Sequence, residues 1–147
     1  MSFRMRIKPV HQTFKLDYFD PEQPDAAIEV SFRQARTGDD IRVSSLFSKQ
    51  RQIWNDKNVG EMALERDWNM REVTRFRCFL TMTGCNLVDE DGNAIFKFRE
   101  TRDGPRMDMD QQSFNIAWDS LPTEITNEIY QKCLLVNEHW DFTKQGE

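Results

Sequence analysis

The chain has 147 residues, with 20 basic and 25 acidic side chains, a net charge of -5 and a pI near 5.1. That length suits one domain with its own core, and the charge gives no bulk attraction to nucleic acid or anionic lipid. No apolar run approaches the ~20 residues of a membrane span, no secretory leader follows the basic start at Met1 to Lys8, and three cysteines without a CxxC do not make a disulfide framework.

Residues 12–19 (QTFKLDYF) alternate, with Phe14, Leu16 and Tyr18 opposite Lys15 and Asp17. Residues 27–36 alternate again, with Ile28, Val30 and Phe32 opposite Glu29, Ser31 and Arg33. Period two over such lengths predicts half-buried strands. The link DPEQPD carries two prolines and reads as a turn. The expectation is an antiparallel hairpin over 8–36. An isolated hairpin is marginal in water, so one of its faces must pack on elements later in the chain.

Residues 37–140 read as a mainly helical region. Thr37 is the expected cap of a first helix, with Asp40 in its first turn and Val43, Leu46, Phe47, Ile53 and Trp54 on one stripe. Residues 55–60 end it. Residues 61–68 fit neither period and receive no element. Asn69 with Glu72 resembles a capping box. It opens a central helix that ends at Gly84, expected as a left-handed C′ residue; Met70, Val73, Phe76, Phe79, Leu80 and Met82 form its apolar face. Asp91-Gly92 between apolar flanks predicts a second short hairpin over 87–98, and 101–106 reads as a polar loop. Two more helices come next. Asp108 or Asp110 opens the first, which carries Phe114, Ala117, Trp118 and Leu121. The second starts around Pro122, carries Ile125, Ile129, Cys133 and Val136, and is capped by Asn137. Residues 141–147 form a polar tail. The fold class is therefore α+β in a single domain, with a core of Phe14, Leu16, Ile28, Val30, Leu46, Phe47, Val73, Phe76, Leu80, Trp118 and Ile129.

Few constellations carry chemistry. Asp89, Asp91, Asn93 and Glu100 fall at EF-hand positions one, three, five and twelve. Ala94 stands where that loop needs glycine, however, and a strand pattern comes after it. A plain turn is the better reading, and no metal or other cofactor is expected. Arg71 and Arg75 share a helix face, with Lys97, Arg99, Arg102 and Arg106 further on and Trp54 and Trp68 as stacking groups. Such a basic patch suits nucleic acid, but acidic residues are interspersed. Cys78, Cys85 and Cys133 read as small core residues. His11 and His139 stand apart, with no catalytic signature around either, so no enzyme is expected.

On the last helix, Cys133-Leu-Leu-Val136 is apolar around the whole circumference. Leu135 faces away from the docking stripe, and Trp140 lies just beyond the cap. We favour covering of this side by the N-terminal hairpin or the last residues. The alternative is a groove for an amphipathic partner helix, formed by Leu135 and Trp140 with Tyr130 on the same helix.

The segments Phe114-Asn-Ile-Ala-Trp-Asp-Ser-Leu-Pro-Thr-Glu-Ile, Asn127-Glu-Ile-Tyr and Leu134-Leu-Val-Asn-Glu-His-Trp resemble the end of tail assembly chaperones of long-tailed bacteriophages. The stretches Trp68-Asn-Met-Arg-Glu-Val and Met82-Thr-Gly-Cys-Asn-Leu add to the likeness, with Glu138 standing where that pattern carries proline. The resemblance implies a non-enzymatic protein of the infected bacterium's cytoplasm. It would bind the tape measure protein, a long helical and aggregation-prone chain, and hold it soluble until the tail tube polymerises. It implies absence from the finished virion. A structural or adaptor subunit kept in the particle and a small nucleic-acid-binding regulator are the alternatives, and a second copy of the chain stands beside the tape measure protein as a candidate partner.

Overall fold

In the computed structural model, residues 1–5, 8–54 and 59–141 are described, with side chains given outside 47–69. The side chains of Phe47, Ile53, Trp54 and Trp68 lie outside that description, and so does the polar tail beyond Asp141. The alternating segments form strands β1 (His11–Lys15) and β2 (Glu29–Arg33), paired antiparallel from His11↔Arg33 to Lys15↔Glu29. Each is shorter than its alternation, although Leu16 N–H still donates to Ile28 O at 2.8 Å. The proline-containing link turns through Gln23 N–H to Asp20 O at 2.9 Å, and Asp20 Oδ1 accepts from Glu22 N–H at 3.0 Å. Val30 and Phe32 are fully buried, whereas Thr13 and Ser31 join hydroxyls at 2.7 Å on the opposite face.

Helix α1 (Thr37–Trp54) already includes Thr37, the residue expected to cap it. Arg36 O accepts from the N–H groups of Asp39 and Asp40 at 2.9 and 3.2 Å, and Arg36 N–H donates to Asp39 Oδ2 at 2.8 Å. Arg36 is thus the cap position, and Asp39 reaches back as the acidic half of a capping box. Thr37 does not cap.

Helix α2 (Val59–Thr81) runs 23 residues and absorbs both the unassigned stretch and the expected start at Asn69. Residues 61–66 (EMALER) are strong helix formers without a breaker. Propensity carries this turn where periodicity is silent, and Asn69 is an interior residue. The helix does not end on Gly84 either. The chain passes directly into strand β3 (Met82–Cys85), which pairs antiparallel with β2 and places Gly84 opposite Ser31. The sheet order is β1-β2-β3, with an irregularity between Ser31 and Phe32. Gly84 is not left-handed; a Cβ there would stand 3.3 Å from Ser31 Oγ, so glycine serves close strand approach.

The second hairpin exists, but later in the chain than Asp91-Gly92. Around that dipeptide the chain reverses with one isolated bridge, Val88↔Ala94, and Gly92 takes φ +84°. The regular ladder is β4 (Phe98–Thr101) against β5 (Gly104–Met107), which spans the stretch 101–106 expected as a loop. Its turn is closed by Gly104 at φ +105° and by Thr101 Oγ1 donating to Gly104 O at 2.7 Å. Helix α3 (Gln111–Asp119) is capped by Asp110, whose Oδ1 accepts from Ser113 N–H at 2.7 Å. Helix α4 (Thr123–Val136) follows Pro122 and ends at Asn137, and a single 3-10 turn (Glu138–Trp140) completes the described chain.

The protein is thus α+β: an N-terminal antiparallel hairpin widened to three strands, four helices, and a second short hairpin. Leu16, Val30, Val73, Phe76, Leu80, Trp118 and Ile129 are buried as expected. Phe14, Ile28 and Leu46 are only half-buried, Phe14 because β1 is an edge strand. The centre belongs to Phe114, whose ring lies 5.3 Å from Phe79, 5.2 Å from Phe96 and 5.8 Å from Trp118. Truncating such a ring costs about 3–5 kcal/mol. None of the helices is long and apolar enough to cross a membrane, among the described residues.

Candidate partner-binding surfaces

Two helices make the larger cleft. On α2, Arg71, Thr74 and Arg75 follow the i, i+3, i+4 spacing of one helical face. On α4, Thr123, Thr126, Asn127 and Tyr130 do the same over two turns. Trp118 and Leu121 close one end, and the enclosed volume is about 500 Å³. Three residues singled out in the sequence, Tyr130, Arg71 and Arg75, therefore meet in one place.

Their states differ. The Arg75 guanidinium donates to Asp119 Oδ2 at 2.6 Å. Arg71 is exposed and has no carboxylate partner among the described residues. The Tyr130 hydroxyl accepts from Arg77 Nη1 at 2.8 Å. Burial raises its pKa, against the opposing pull of the Arg77 charge, so the phenol stays protonated. Glu72 and Asp119 balance the two arginines. The cleft is a polar, hydroxyl-rich groove rather than a strong anion trap.

A smaller groove of about 370 Å³ lies between the start of the hairpin and the end of α4, lined by Val10, Gln12, Gln34, Leu135, Val136, Glu138 and His139. Leu135 is 50% exposed. The hairpin approaches Leu135 but leaves it half-exposed, and the last residues, the other cover expected from the sequence, lie outside the described residues. The expectation for Trp140 is corrected: it is 4% exposed and forms no groove wall. The 3-10 turn folds it inward, where Nε1 donates to Asp40 Oδ1 at 2.7 Å and the Arg77 guanidinium stands 5.2 Å from its ring. A buried indole needs such a partner for its N–H.

Asn137 does more than end a helix. Its Oδ1 accepts from Ala35 N–H at 2.7 Å, and its Nδ2 donates to Arg33 O at 3.1 Å and Cys133 O at 3.4 Å. His139 Nε2 lies 3.0 Å from Asp40 Oδ1. Arg33, 7% exposed, forms two hydrogen bonds to Asp39 at 2.8 and 3.2 Å and donates to Leu80 O at 2.7 Å. Sequence reasoning missed this polar closure. Its only local signal was the pair of aspartates after Thr37, and their partners are far off in the chain.

The remaining candidates resolve as local structure. Asp89 Oδ1 accepts from the N–H groups of Asp91 and Asn93, both at 2.9 Å, so the carboxylate is used in forming its own turn. No group of three His, Cys, Asp or Glu side chains could hold a metal ion among the described residues. All three cysteines are free; Cys78 and Cys133 are buried, and burial pushes the Cys85 thiol up to about 11. The basic cluster divides: Arg71 and Arg75 lie on α2, whereas Lys97, Arg99, Arg102 and Arg106 lie on or beside the second hairpin. Comparison with known families, curated proteins and solved structures finds no match to this chain.

Proposed function

We propose that the protein is a non-enzymatic tail assembly chaperone of a long-tailed bacteriophage, one that binds the tape measure protein in the host cytoplasm and keeps it soluble during tail morphogenesis. The observation that carries this reading is the run from Phe114 to Trp140, which resembles that family and forms one continuous unit here: α3, the Pro122 entry, α4 and the closing turn. An order of hairpin first and helices after it also agrees with the resemblance. Two grooves flank α4, one carrying Tyr130 with Arg71 and Arg75, the other carrying Leu135. A helix with accessible residues on both flanks suits a helical client.

The test is co-expression with the tape measure protein encoded in the same genome. The expected result is a soluble complex, with the tape measure protein insoluble when expressed alone. Mass spectrometry of purified particles then separates the chaperone from a retained structural subunit, since only the latter persists. Failure to alter the solubility of the tape measure protein sinks the proposal.

A further inference from the structure

Strand β1 is an edge of its sheet, and its pairing with β2 leaves one side of its backbone open. Gln34 N–H donates to Val10 O at 2.9 Å, and Leu16 N–H donates to Ile28 O at 2.8 Å. In an antiparallel ladder every second residue makes such bonds, so Val10, Gln12, Phe14 and Leu16 face β2. The N–H and C=O groups of His11, Thr13 and Lys15 therefore point outward, and all three residues are exposed. Asp17, the next residue of that set, shows the direction: its N–H donates to the Glu128 carboxylate at 2.6 Å. The outward backbone groups of His11, Thr13 and Lys15 have no partner among the described residues. Such an edge is a template for another strand.

The two flanks of β1 are opposite in charge. Residues 1–8 carry three basic and no acidic side chains, whereas residues 17–25 carry four acidic and no basic ones. Lys15 at one end, and Glu138 beside Val10 at the other, each offset one of these charges, while Glu128 adds an acidic one at Asp17. The ladder from Val10 to Leu16 is about 20 Å long, twice the Debye length of about 8–10 Å. The flanks leave its opposite ends, so they do not neutralise each other within one copy. Both also carry apolar side chains that are more than half exposed, Phe3 and Met5 on the first and Phe19 on the second.

We infer that β1 pairs antiparallel with β1 of a second copy across a two-fold axis, joining two three-stranded sheets into one. The two-fold turns the second strand around. Each basic flank then runs beside the partner's acidic flank, and Phe3 and Met5 run toward the partner's Phe19. A parallel pairing sets like flanks together instead. The outward groups belong to odd-numbered residues, so odd must pair with odd. Centred on Thr13, the register pairs Thr13 with the partner's Thr13 and His11 with the partner's Lys15, and it engages all the outward groups. It stops where Asp17 meets the partner's Pro9, since proline has no N–H to give and Glu128 already serves the Asp17 N–H. Centred on Lys15, it sets two lysines face to face, which is destabilising. Self-complementarity of this kind defines an isologous interface, and the two opposite flanks on one strand single out a second copy as the occupant. The inference is independent of the tape measure reading.

The experiment is sedimentation velocity of the full chain over a range of concentrations. The expected species is a dimer that dissociates on dilution, and does so more readily once salt shortens the Debye length to about 3 Å. Thr13→Pro removes an outward N–H and no bond to β2; proline is tolerated on the open side of an edge strand. Its circular dichroism should match the parent while dimerisation weakens by roughly tenfold or more. Arg4, Lys8, Glu22 and Asp25 are all exposed, so exchanging their charges leaves the fold alone. Arg4→Glu with Lys8→Glu should weaken the dimer, and so should Glu22→Lys with Asp25→Lys. Mixing these two double variants should restore a dimer, because each acidic flank then meets a basic one. A monomer at every concentration overturns the inference, and so does a dimer that Thr13→Pro and both double variants leave unchanged. Should Thr13→Pro fail to fold, the charge exchange decides by itself: no recovery on mixing overturns the inference.

Discussion

Asn137 offers the sharpest test of how the fold is closed. Its amide joins the end of α4 to the link between β2 and α1, more than a hundred residues earlier in the chain. In Asn137→Ala the Ala35 N–H loses an acceptor at 2.7 Å and Arg33 O loses a donor at 3.1 Å. A buried polar group left unsatisfied costs about 1–3 kcal/mol. Ala35 is half-buried, so water repairs part of its loss, whereas Arg33 is buried. The sum is roughly 2–4 kcal/mol. For a chain of this length that is a fall in melting temperature of about 4–15 °C. Thermal and urea melts followed by circular dichroism measure it, with the urea m-value unchanged if only stability moves. Asn137→Asp sharpens the test: it keeps an acceptor for Ala35 but turns a carboxylate toward two carbonyls. Such a carboxyl has a raised pKa when folded, so this variant should regain stability as pH falls and the group protonates. An Asn137→Ala protein within about 0.5 kcal/mol of the parent would refute the reasoning, because the amide would then be one surface cap among others.

Other expectations rest on the same geometry. Leu135→Asp should leave the melting temperature nearly unchanged, because Leu135 is 50% exposed, while Trp140→Ala should lose about 3–5 kcal/mol; equal losses in the two melts contradict the placement of these side chains. Asp39→Asn breaks the buried pair with Arg33 and should cost about 3–5 kcal/mol. Burial raises the Asp39 pKa, but the hydrogen bonds from Arg33 and the Arg36 N–H outweigh it and leave the pKa lowered. Its contribution is therefore present above the ordinary carboxylate range and lost as pH falls through the depressed value, so the parent should lose more stability than Asp39→Asn on acidification below about pH 4. Iodoacetamide at about pH 8 should label none of the three cysteines in the native protein at the rate of a free thiol, since Cys78 and Cys133 are buried out of reach of the reagent and burial raises the Cys85 thiol to about 11; rapid native labelling of Cys85 contradicts this.

The features legible in the sequence were local. Alternation in β1 and β2, an aspartate start for α3 at Asp108 or Asp110, the Pro122 entry and the stripe of α4 all depend on neighbours within one or two turns; all are present, with Asp110 the one that caps. Strand β3 was not legible. MTGC is too short to show a period, and it comes after a helix without a loop. Its strand state comes from β2, whose other edge would otherwise be unpaired. The second hairpin was misplaced because Asp-Gly is a strong turn signal whether or not a ladder grows from it. The ladder grew where Phe98 and Met107 could pack on the core. At the candidate surfaces, Tyr130, Arg71 and Arg75 could each be chosen as a residue type, but not as a cleft. That needed the packing of α2 on α4, which only tertiary structure sets.

The fate of the Asn137-Glu-His-Trp140 run bears on any search for the partner site. In sequence, Asn137 reads as a helix cap and Trp140 as a candidate groove residue just beyond it. In the fold, Asn137 ties α4 to β2, and His139 and Trp140 both reach Asp40 at the start of α1. Substitutions there act on the closure of the domain. A loss of partner binding in such a variant reports unfolding just as readily as a lost contact. The informative substitutions are those whose side chains meet solvent while their helices are held by other residues. Leu135 and Arg71 satisfy that condition, because Ile125, Ile129 and Cys133 dock α4 and Val73, Phe76 and Leu80 dock α2. Loss of binding at Leu135 or Arg71 with an unchanged melting temperature therefore identifies a contact surface, and no variant of the Asn137–Trp140 turn can do so by itself.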